Sequence, residues 1–67
     1  MRKIDKVITF AMLGYRYARV IYTSGKVMTY RQGCIPENVL LFMLNANKLI
    51  TPGTSLNDTQ YEYTKPA

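Results

Sequence analysis

Residues 15–32, YRYARVIYTSGKVMTYRQ, carry two alternating runs around one turn, and their pairing decides the fold. Tyr15–Thr23 is dense in tyrosine and β-branched side chains, which suit a pleated, half-buried strand. Thr23-Ser24-Gly25 is a hairpin signal, residues 26–32 form a second strand, and Gly33 closes it. The loop length sets which side chains share a face. A two-residue Ser24-Gly25 turn pairs Thr23 with Lys26 and mixes Thr29 and Arg31 with Ala18 and Val20. A three-residue loop with Gly25 in the left-handed conformation pairs Tyr22 with Lys26 instead. It puts Ala18, Val20, Tyr22, Met28 and Tyr30 on one face and Tyr17, Arg19, Ile21, Val27, Thr29 and Arg31 on the other. The longer loop gives the cleaner core face and is preferred, although a slip of one residue inverts every assignment.

Working outward, residues 4–13 predict a preceding strand, because Ile8, Phe10 and Met12 alternate with Thr9 and Ala11. Gly14 supplies the turn between the two strands. Residues 36–49 predict a helix, with Pro36 at its first position, Glu37 at its positive end and Lys48 at its negative end. Val39, Leu40, Met43, Ala46 and Ile50 form the stripe expected to be buried. Leu41 falls beside Glu37, Asn45 and Lys48, and Phe42 lies on the opposite shoulder of the polar face. A helix apolar this far round needs a second contact surface, which makes Leu41 and Phe42 candidates for an oligomer interface. Pro52-Gly53 is expected to end the ordered run. The expected fold class is α+β: a three-stranded antiparallel β-meander followed by one helix (β-β-β-α) in a single domain, residues 1–50. Residues 51–67 read as a polar tail, flexible or, through the alternating Gln60–Thr64, forming an arm or a short fourth strand at a sheet edge.

The chain is 67 residues long, and a core of that size rarely supplies more than ~3–5 kcal/mol without a staple. One cysteine excludes an internal disulfide, and the absence of histidine leaves no structural zinc set. Self-association is the staple that remains, so a homodimer or higher homo-oligomer is expected. Cys34, beside Ile35 and Pro36, reads as a small buried hydrophobe, and a lone packing thiol fits a reducing, cytoplasmic compartment. No apolar run approaches the ~20 residues of a membrane span, so no membrane role is expected.

Charge is the most informative bulk property. The chain carries +5, and residues 1–33 hold seven cations against Asp5 alone, while residues 34–67 are slightly acidic. That asymmetry suits a polyanionic or acidic partner. Catalysis has little to work with: Asp5, Glu37, Asp58 and Glu62 lie in separate segments, and no phosphate loop or nucleophile motif is present. No enzyme activity, cofactor or metal is therefore expected. The strongest functional signal is the interleaving of basic and aromatic residues. Lys6, Tyr15, Arg16, Tyr17, Arg19, Thr29 and Arg31 are the candidate binding residues. Cations neutralise phosphates, and tyrosines on an open sheet stack unpaired bases, which points to DNA or RNA. The alternative is a protein-interaction module or small inhibitor that uses the basic face and the exposed apolar helix residues on an acidic protein. The same side chains are also ordinary for a solvated strand face.

Overall fold

A computed structural model describes residues 3–51 and 59–66; Pro52-Gly53 and Asp58, named above, lie outside the described residues. The elements are β1 (Ile4–Met12), β2 (Tyr15–Tyr22), β3 (Val27–Arg31), α1 (Glu37–Asn45), β4 (Asn47–Thr51) and β5 (Gln60–Thr64). They form one five-stranded antiparallel sheet in the order β3-β2-β1-β5-β4, with α1 on one face. The class is α+β, as expected, but the sheet is wider than a three-stranded meander. The C-terminal segment is not an edge strand. Gln60–Thr64 inserts between β1 and β4, with Val7 opposite Tyr63 and Ile50 opposite Tyr61.

The β2–β3 hairpin has the longer loop. The Tyr22 amide donates to the Lys26 carbonyl, and the Gly25 amide donates to the Tyr22 carbonyl. Val20 then lies opposite Met28 and Ala18 opposite Tyr30, which sends that set toward the helix. Gly25, at φ +92°, takes the left-handed position that a side chain would strain.

In β1 the apolar alternation faces the other way. Ile4 pairs with Tyr22 and Lys6 with Ile21, so Asp5 is an extra residue in a β-bulge. The bulge lets Ile4 and Val7, three apart, both point into the core, and Ile8, Phe10 and Met12 fall on the opposite face. The β1–β2 turn consists of Leu13 and Gly14, at φ +53° and +81°, between the paired Met12 and Tyr15. Positive φ at both positions is the signature of a type I′ hairpin turn. Leucine tolerates that conformation poorly, at a cost of about 1–2 kcal/mol.

The helix is shorter than residues 36–49. Pro36 is its N-cap in extended conformation, with φ −61° and ψ 152°, rather than its first helical residue. The Asn45 side chain donates to the Leu41 carbonyl at 3.1 Å, and Ala46 is already extended. Asparagine competes with the helix in this way, and the β-prone Leu49-Ile50-Thr51 follows in β4. Lys48 and Ile50 are therefore strand residues, not the helix cation and stripe member expected.

The core is narrow. Val7, Val20 and Val39 are completely buried, with Ile4, Ala18 and Tyr22 beside them. Met28, Tyr30, Ile35, Phe42, Met43 and Tyr63 pack around this cluster. Each fully buried valine contributes about 1.5–3 kcal/mol. Phe42 thus packs against the core, while Leu40, Leu41 and Leu44 stay exposed on the outer side of the helix. Cys34 is exposed and does not belong to the core as expected. Its amide donates to the Arg31 carbonyl in the bend that leads to α1.

Candidate functional site

The helix covers one face of the sheet and, among the described residues, no element covers the other. The strand register assigns that open face residue by residue. Lys6 lies in a row with Ile21 and Val27, Ile8 with Arg19 and Thr29, Phe10 with Tyr17 and Arg31, and Met12 with Tyr15. Of the residues singled out from the sequence, Lys6, Tyr15, Tyr17, Arg19, Thr29 and Arg31 come together here. Arg16 does not. It lies opposite Ala11 on the helix side, where it lines a cavity of about 220 Å³ with Gln32, Ile35 and Met43.

At the centre of the open face the side chains form a short stack. The Phe10 and Tyr17 rings lie 5.7 Å apart between centroids at an interplanar angle of 24°. The Arg19 guanidinium sits over the Phe10 ring at 5.2 Å. Near the β1–β2 turn the Arg31 guanidinium sits over the Tyr15 ring at 4.9 Å. Stacked rings contribute about 0.5–1.5 kcal/mol and exposed cation–π pairs about 0.5–1 kcal/mol, so these contacts fix side-chain direction more than they stabilise the fold.

The cations of this face are not equivalent. Lys6 Nζ lies 3.5 Å from Glu62 Oε1, diagonally across the β1–β5 pair and two residues out of register. Among the described residues, Arg19 and Arg31 have no carboxylate partner. Their charge is available to an anion, whereas that of Lys6 is largely answered. Glycine-free strands with aromatic rows and two unanswered guanidiniums make a surface able to hold phosphates and stack planar groups. Among the described residues, no group of three or more Cys, Asp or Glu comes together as a metal site.

Phe10 and Met12 belong to this surface and were not among the sequence candidates. Their signal was the same alternation, displaced to the other face by the Asp5 bulge. Leu41, proposed for an interface, is exposed beside Asn38 and Asn45 along the groove that Lys3 and Pro66 flank. No described helix is long and apolar enough to cross a membrane. In comparisons with known proteins, no family model, no curated protein and no solved structure matches this chain.

Proposed function

We propose that the chain is a non-enzymatic, cytoplasmic binding protein for single-stranded DNA or RNA, acting as a homo-oligomer through the open face of its sheet. The observation that carries this reading is the ladder Tyr17–Phe10–Arg19, joined by Arg31 over Tyr15, on a face with two cations unanswered by carboxylates. Rings and guanidinium planes stack unpaired bases without reading their sequence, and the same guanidiniums hold the phosphates. An antiparallel sheet with its helix on the far side presents such a row without obstruction.

The test is fluorescence anisotropy with labelled oligothymidylate and oligouridylate across a salt series, with a duplex of equal length alongside. Single strands bind at low salt, and log affinity falls with log salt by about 0.7 per phosphate neutralised. Arg19→Ala and Arg31→Ala each lower the slope by roughly one such contact. Absence of binding at low salt, or duplex binding as tight as single-strand binding, overturns the reading.

A second reading has its own observation. Val27 and Leu49, 50% and 58% exposed, flank the same face, and apolar margins suit a protein partner with an acidic centre. A stoichiometric partner that survives nuclease treatment of the extract favours this reading over the first.

A further inference from the structure

The two edges of the sheet are protected very differently. At the β3 edge, Lys26 and Arg31 flank the strand, and Met28 and Tyr30 turn inward against the core. Charged residues on an edge discourage another strand from adding to it. The β4 edge lacks that protection. All five residues Asn47–Thr51 are exposed, and the strand is apolar on both faces, with Leu49 58% and Ile50 60% exposed. Its one charge is drawn inward, since Lys48 Nζ sits 4.4 Å from the Tyr61 ring centroid and 5.9 Å from that of Tyr63. Among the described residues no strand pairs with the outer side of β4, so alternate backbone amides and carbonyls point outward along it.

We propose that β4 is a self-association edge, and that its occupant is β4 of a second copy of this chain, added antiparallel about a two-fold axis. The sequence of the strand is self-complementary in that arrangement. With the axis at Leu49, each Leu49 meets its own counterpart, each Lys48 lies opposite the partner's Ile50, and each Asn47 lies opposite the partner's Thr51. No like charges face one another, Leu49 gains an apolar neighbour on one face, and Ile50 gains the stem of Lys48 of the partner subunit on the other. The result is a continuous ten-stranded sheet. It places the two β1 strands about 24 Å apart, five strand spacings of ~4.8 Å, with a basic–aromatic cluster on each side of the axis.

This edge pairing stands on β4 itself; only its consequence for nucleic acid rests on the function proposed above. The experiment reads mass by sedimentation equilibrium over a concentration series, for the parent chain and two charge variants at one exposed position. The parent gives twice the chain mass at high concentration and dissociates on dilution. Ile50→Lys sets a cation against Lys48 of the partner subunit twice per dimer and weakens association on the order of tenfold, because like charges directly opposite in a ladder repel. Ile50→Glu sets an anion there and keeps the dimer. Lys48→Glu combined with Ile50→Lys restores association. A monomer at every concentration overturns the proposal, and so does a dimer that Ile50→Lys and Ile50→Glu leave equally intact. Oligonucleotide anisotropy on the same variants separates the two claims. A variant that is monomeric yet still binds short oligonucleotides leaves the open-face reading standing while testing the edge alone. Loss of oligonucleotide binding with the mass unchanged fails only the open-face reading.

Discussion

The covered and open faces of this sheet are built from alternate residues of the same strands, yet they carry opposite chemistry. Beneath α1, positions such as Val7, Val20 and Tyr22 are closed to solvent and hold no charge. One residue along, Ile8, Arg19 and Ile21 face outward among cations and rings. The lesson is that stability and binding are divided between neighbouring residues. A change at one position of a strand tests the fold, and a change at the next tests the surface.

The largest expected effect breaks the covered face. Val20→Asp buries an unpaired carboxylate at a site with no accessible surface, at a cost of several kcal/mol. That is comparable to the ~3–5 kcal/mol expected of a core this size, so the chain loses its cooperative thermal transition. Val27→Asp, on the open face and half exposed, leaves the transition in place with a change of about 1 kcal/mol or less. Equal effects from the two substitutions would erase the distinction between the faces.

Val39→Ala comes next. Val39 is the only fully buried side chain of α1, and removing two methylene equivalents with some residual cavity costs about 2 kcal/mol by denaturant unfolding. Leu13→Asn acts in the opposite direction. Leu13 is 86% exposed and held at positive φ, so asparagine relieves strain without giving up burial. It raises stability by about 1 kcal/mol, seen as a rise of roughly 4–8 °C in Tm. Glu62→Gln has the smallest effect on stability. The Lys6–Glu62 pair is about one-third exposed on each side and contributes less than about 1 kcal/mol, falling with salt. The same change frees Lys6, so oligonucleotide affinity rises at low salt if the open face binds phosphates.

Legibility in the sequence followed sequence distance. The β2–β3 hairpin was readable because Thr23-Ser24-Gly25 and its flanking alternation are local, and the preferred register is the one observed. That single result placed Tyr17, Arg19, Thr29 and Arg31 on one face. The β1 face was not readable, because the Asp5 bulge resets a period of two and nothing in Ile4-Asp5-Lys6-Val7 announces an extra residue. Phe10 and Met12 were lost from the site for that reason, and Arg16 was carried to the wrong face by its nearness to Tyr15 and Tyr17. The end of α1 was misjudged because Leu49 and Ile50 fit an apolar stripe as well as they fit a strand. Only pairing with β5 decides between them, and that pairing joins Leu49 to Glu62 and Ile50 to Tyr61 across the intervening residues. The alternation in Gln60–Thr64 was visible, but its place between β1 and β4 was not, since strand order is a property of the folded whole.

The interior position of β5 also sets a timetable. A ribosome makes β1, β2 and β3 first, then α1 and β4, and only afterwards residues 60–64. Until those last residues emerge, β1 has one neighbour instead of two, and β4 has none to lie against. Non-local strand pairing is slow, and unpaired edges are where growing chains go astray. The half-made chain therefore holds Val7 without Tyr63 beside it and Ile50 without Tyr61, and its final architecture arrives as a single late closure rather than by stepwise addition.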